Sequence, residues 1–121
     1  MKATPATQEP VLADTMRALC ARVLTPNTYR IPGGEVRQIT ALLHGYVRLL
    51  LGETGDASQA CADAERLLWQ GPGEGRLGAW IHMRALARVC RVLLIERQVR
   101  RQRNRAAAGQ ASQDPDMVVT Q

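Results

Sequence analysis

The sequence predicts an all-α fold: a four-helix bundle with a long, centrally packed C-terminal helix and disordered termini. Three observations predict it. Apolar residues recur at i, i+3, i+4 and i+7 through most of the chain, the spacing of one helix face. Clusters of Pro and Gly interrupt that pattern near residues 25–34, 52–55 and 71–75. No strand-like alternation longer than four residues appears, and no internal repeat. A chain of 121 residues is long enough for one domain with its own core, and a hydrophobic content of 45% speaks against global disorder. Phe is absent and the aromatics are only Tyr29, Tyr46, Trp69 and Trp80. The core must therefore come from Leu, Val, Ile, Ala, Met and Cys.

Residues 1–10 contain prolines at 5 and 10 and no periodicity, and they read as a flexible leader to a helical domain spanning 11–97. The first helix carries Met16, Leu19, Cys20, Val23 and Leu24 on one face, with Asp14 as a candidate cap. Thr25-Pro26-Asn27 ends it, because proline restricts the preceding residue and donates no backbone N–H. Tyr29-Arg30-Ile31-Pro32-Gly33-Gly34 is a loop by its punctuation. A second helix follows over about 35–51, with Val36, Ile39, Leu43, Tyr46, Val47 and Leu50 on one side, and Gly52 and Gly55 as its stop.

Asp56 and Gln59 form a capping-box pair that opens a third helix at roughly 57–70. Its face, Ala57, Ala60, Cys61, Ala64, Leu67 and Leu68, is small enough to admit a neighbouring helix closely. The GPGEG run at 71–75 breaks it. The fourth helix starts near Arg76 and reaches Arg97 or beyond. Its Met83, Leu86, Val89, Cys90, Val92, Leu93 and Leu94 cover an arc of about 200°, wider than one partner covers, which makes it the central helix. Residues 98–121 read as an arginine-rich extension followed by a disordered tail.

Charge is concentrated in one place. Residues 76–105 hold nine Arg against the single Glu96, whereas residues 1–75 carry seven basic and eight acidic groups. Arg84, Arg88 and Arg91 fall within about 60° of one another on the fourth helix, and Arg97, Arg100, Arg101, Arg103 and Arg105 follow. Two readings stay open. Arginines near a helix C-terminus are favoured by its dipole and solvate a face. Alternatively the same row meets a protein partner or the phosphates of a nucleic acid. Against nucleic acid stand the absence of interleaved aromatics and of a helix-turn-helix, whose turn is shorter than GPGEG. Trp69 and Trp80 flank that break, either packed on each other across the turn or free to anchor a partner.

No catalytic constellation emerges. His44 and His82 lie on separate helices, and a single helical His is ordinarily a hydrogen-bonded or surface residue. Cys20, Cys61 and Cys90 are 41 and 29 residues apart without a CxxC, so they read as reduced, buried small hydrophobes and not as metal ligands. The glycines at 33–34 and 71–75 lack the Lys-Ser/Thr that follows a phosphate loop. No cofactor, metal or membrane span is expected, and with no secretion signal the default location is cytoplasmic.

The stretch Leu42-Leu43-His44-Gly45-Tyr46-Val47-Arg48-Leu49-Leu50, the alanine-rich third helix and the RALARVCRVLL run at 84–94 resemble a group of small helical actinomycete proteins. That group is classed as a domain of unknown function and named for association with natural-product biosynthesis. A Gly-His-Ile triplet is common there where this chain has Gly45-Tyr46-Val47, so the ionisable residue of the pattern is missing. The resemblance spans about residues 35–95. It implies a helical fold and an actinomycete source, and brings no reaction, cofactor or catalytic residue. An abundance of Arg and Ala, both favoured by GC-rich coding, agrees with such a source.

The expectation is a non-enzymatic helical accessory protein that binds another macromolecule, a protein partner or a second copy of itself. A nucleic-acid-associated protein is the alternative. A third reading, a small enzyme with Arg84 and Arg88 clamping an anionic substrate, requires an enclosed pocket lined by both.

Overall fold

The computed structural model describes residues 5–26, 30–53 and 58–120, with side chains from 12 to 109 within those spans. Four helices follow in order: α1 (Pro5–Val23), α2 (Gly33–Glu53), α3 (Gln59–Gln70) and α4 (Gly75–Thr120). No strand occurs among the described residues. The arrangement is three helices around one. Each of α1, α2 and α3 packs on α4 more extensively than α2 and α3 pack on each other. The wide apolar arc of the fourth helix is the cause, since no single neighbour covers it.

The core follows the predicted stripes closely. From α1 come Ala13, Met16, Cys20 and Val23, and from α2 Val36, Ile39, Leu43, Val47 and Leu50. From α3 the small residues Ala60, Cys61 and Ala64 are buried, which lets that helix lie close to α4. The α4 contribution is Met83, Leu86, Ala87, Val89, Cys90, Leu93 and Leu94. Leu43, Met83, Leu86 and Cys90 are each fully enclosed, and a buried side chain of Leu or Met size stabilises by about 1.5–3 kcal/mol. Val92 departs from expectation. It belongs to the predicted buried arc yet is 41% exposed, because no helix covers that edge of α4.

The helix ends are tied by specific groups. Ser58, not Asp56, is the N-cap of α3: its Oγ accepts from Cys61 N–H at 3.1 Å and donates to Glu96 Oε1 at 3.1 Å. The partner expected for Gln59, Asp56, lies outside the described residues, and Gln59 bonds Asp63 instead. Asp14 is not a cap either, since it pairs with Arg17 one turn on. At the other end of α3, Gly71 N–H donates to Leu67 O at 3.1 Å with a left-handed φ of 69°, and Gly75 repeats that conformation at 71°. The GPGEG turn folds back so tightly that a Cβ on Gly78 would sit 2.5 Å from the Gly73 carbonyl carbon.

Helix is described toward both ends of the chain. α1 starts at Pro5, inside the segment read as a leader, because a proline in the first turn gives up only an N–H that would be unpaired anyway. The backbone of α4 continues to Thr120, through the segment read as a disordered tail. Ala106, Ala107 and Ala108 propagate a helix already nucleated by packing upstream. Residues 1–4 and 121, like Tyr29 in the first loop, lie outside the described residues.

Candidate protein-docking face

The eight arginines singled out from the sequence do not form one surface. Arg84 leaves the predicted row to serve the fold: its Nη1 donates to Val23 O at 3.1 Å and Thr25 O at 3.2 Å, the carbonyls at the end of α1. Its guanidinium also stands over Trp80, 5.2 Å from the ring centroid. A cation placed on those carbonyls meets the negative end of the α1 dipole. Arg97 is likewise structural, with Nε 2.7 Å from Glu53 Oε1 and its side chain only 11% exposed, tying the end of α2 to α4. Arg88 and Arg91 are exposed. Arg101 and Arg105 turn toward α1 and line a cleft of about 220 Å³ with Asp14 and Arg17, while Arg100 and Arg103 border α3. The cationic groups therefore radiate around the helix.

Between α1 and α3, one long edge of α4 is left open. It carries Leu77, Ile81, Val92, Ile95 and Val99, which are 55%, 52%, 41%, 54% and 45% exposed. Alongside them runs a groove of about 520 Å³ between α3 and α4, floored by Ala60, Leu67, Ala85, Val89 and Val92 and rimmed by Asp63, Arg66, Arg88 and Glu96. A second hollow continues it past Ile95 and Val99 to Arg100 and Arg103. Arg66 is paired with Asp63 at 2.7 Å, and Glu96 is held by Ser58. The open edge thus combines aliphatic side chains with unequal charge, more cationic than anionic. The lining of this groove includes Arg88 but not Arg84, whose guanidinium is engaged at the end of α1.

Trp69 and Trp80 also separate. Trp69 is 91% exposed, so the indoles do not close the bundle by packing on each other. Trp80 is half-buried against the core beneath Arg84. Trp69 is absent from the groove lining.

Two contacts were not visible in the sequence. His44 on α2 and His82 on α4 meet Nε2 to Nε2 at 3.2 Å, with ring centroids 5.5 Å apart. That centroid spacing means the rings approach head-on, so the Nε2–H of one ring donates a hydrogen bond to the bare Nε2 of the other. Two imidazoles chelating a metal would instead aim their lone pairs at a third point. Among the described residues no group of three or more His, Cys, Asp or Glu is placed to hold a metal ion. Burial, then the charge of Arg48, lowers the pKa of His44; burial, then His44, lowers that of His82. Cys20 and Cys90, both buried, form the second contact between α1 and α4. Their mutual hydrogen bond, reinforced by burial, pushes the Cys90 thiol far up, while the same bond lowers Cys20 against its own burial. Neither pairing has a sequence signal, because the partners are 38 and 70 positions apart and no short spacing connects them.

Residues 14–103, which hold the packed part of all four helices, match a family described as "Family of unknown function (DUF6415)". The chain belongs to that family. No curated protein and no solved structure matches it. The DUF6415 match begins at Asp14 and ends at Arg103, so the open edge of α4 from Leu77 to Val99 lies wholly within it. Among the described residues of this DUF6415 chain, no helix is long and apolar enough to cross a membrane.

Proposed function

We propose that this chain is a cytoplasmic, non-enzymatic interaction module that binds another protein through the open edge of α4. The observation that carries this reading is the run of half-exposed aliphatic side chains at Leu77, Ile81, Val92, Ile95 and Val99. Leu77 and Ile81 on one side of Arg88, and Val92, Ile95 and Val99 on the other, put five large apolar groups along one edge of one helix, and exposed apolar surface of this kind marks interaction sites. An actinomycete source, supported by the Arg- and Ala-rich composition, and a natural-product or regulatory setting, implied by the resemblance over residues 35–95, belong to the same reading.

The test is site-specific photo-cross-linking in cells. A benzophenone residue at position 95 is expected to give a discrete protein adduct, whereas one at Leu49, which is 45% exposed on α2 against 54% for Ile95, is expected to give none. Equal labelling from both positions, or none from 95, rejects the reading.

A nucleic-acid role is the second reading, supported by the exposed Arg101, Arg103 and Arg105 near the far end of the α4 arginine cluster. It predicts salt-sensitive anisotropy binding to mixed-sequence DNA or RNA that disappears when Arg97, Arg100, Arg101, Arg103 and Arg105 become Ala. An absence of binding at low salt removes it.

A further inference from the structure

We infer that the occupant of the open α4 edge is an amphipathic helix with acidic flanks, contributed by a different protein. The inference rests on the docking reading above and adds the chemistry of the partner.

Spacing argues for a helix. Ile81, Ala85, Arg88, Val92, Ile95 and Val99 step by four, three, four, three and four residues, the seam spacing by which two helices interlock side chains. Residues 81 to 99 rise about 27 Å along α4, the length of about five helical turns. α1, α2 and α3 already occupy the other sides of α4. A helix laid on this edge, crossing at about 20°, completes the shell around it and inserts side chains into the hollows beside α3.

Charge selects the kind of helix. Arg88 sits in the seam, Arg91 beside it, and Arg100 and Arg103 border its lower half. The carboxylates that line the groove are both engaged within the fold, Asp63 by Arg66 and Glu96 by Ser58. A second copy of the chain docked edge to edge brings this arginine row against itself, and like charges across an interface are strongly disfavoured. A duplex satisfies the arginines but leaves Ile81, Ile95 and Val99 against phosphates with nothing to bury them. A helix with Leu or Ile on its seam and Glu or Asp beside it meets both demands.

The probes are three labelled 20-residue peptides. One has a Leu/Ile seam with Glu flanks, one the same seam with Lys flanks, and the third is a scramble of the Glu peptide that disperses the seam. Anisotropy at low and moderate salt should show the Glu peptide binding at least ~10-fold more tightly than either control. Ile95→Asp should abolish that binding. Arg88→Glu should weaken it and improve binding of the Lys peptide, a reversal that mere loss of positive charge does not give. Circular dichroism melts of both variants establish that they remain folded. Equal binding of the Glu peptide and its scramble, or indifference to Arg88→Glu, overturns the inference. So does a dimer in sedimentation that Ile95→Asp dissociates. If position 95 still cross-links a protein in cells while the acidic peptide fails, the docking reading stands and this partner chemistry falls.

Discussion

The two long faces of α4 are made from the same kinds of residue and have opposite fates. Toward α1 and α2, Met83, Leu86, Cys90 and Leu93 are sealed from solvent. Toward the open edge, Ile81, Val92, Ile95 and Val99 keep between 41% and 54% of their surface in water. Hydropathy alone does not separate these sets. What separates them is neighbours: the three other helices cover only part of a helix that is apolar around more than half its circumference. The inner face supplies stability and the outer one leaves apolar surface available for binding.

Truncation should expose that contrast most strongly on the inner side. Leu86→Ala removes a fully enclosed side chain between packed helices, and an unfilled cavity there should lower stability by about 2–5 kcal/mol in urea unfolding. A loss below 1 kcal/mol would mean that the inner face is no better packed than the outer.

The next largest effect tests the turn that sets α4 in place. In most helices Gly→Ala stabilises, but Gly78 faces the Gly73 backbone with room for no Cβ. Gly78→Ala should therefore cost about 1–3 kcal/mol, the usual range for overpacking. Gly109, in the α4 extension, has nothing within 4 Å of an added Cβ, and Gly109→Ala should be neutral or slightly stabilising. A thermal melt of the pair checks the sign.

Arg84 and Arg88 divide the two roles within a single turn. Arg84→Ala leaves the Val23 and Thr25 carbonyls without their donor and should cost about 1–2 kcal/mol. Arg88→Ala, on the exposed rim, should change stability by less than about 0.5 kcal/mol. Comparable losses from both would return Arg84 to the solvated row that the sequence pattern suggests.

How much of this was legible in the sequence depends on whether the information is periodic. The core stripes of α1, α2 and α3 and the breaks between helices are local patterns, and Met16, Leu43, Ala64 and Leu86 fall where those patterns put them. The central position of α4 was legible from the width of its apolar arc. Which part of the arc stays open was not, because that depends on where α3 lies, and Val92 was misassigned for this reason. Arg84 and Arg97 were indistinguishable from their neighbours, since their acceptors, Val23, Thr25 and Glu53, lie at the ends of helices distant in sequence. The His44–His82 bond is invisible for the same reason.

A smaller effect comes from that histidine bond, which joins α2 to the inner side of α4. Both pKa values are lowered in the fold, so the unfolded chain takes up protons first as the solution is acidified. The contribution is therefore complete above the ordinary histidine value near 6.5 and is lost as pH falls below it. The melting temperature should decline between about pH 7 and pH 5. His44→Gln with His82→Leu should flatten that decline, and an unchanged slope in the double variant would assign the acid sensitivity to carboxylates instead.

The smallest expected effect tests the outer face alone. Ile95 is 54% exposed, so Ile95→Ser removes surface that water already reaches and should alter stability by no more than about 0.5 kcal/mol. Position 95 nevertheless lies in the seam between Val92 and Val99, within its most continuous aliphatic stretch, where a docked helix would bury apolar surface. A variant that melts like the parent chain but no longer binds separates the two faces of α4 cleanly. If Ile95→Ser instead lowers stability as much as Leu86→Ala, the outer edge is already covered in the free protein, and the distinction between the faces disappears.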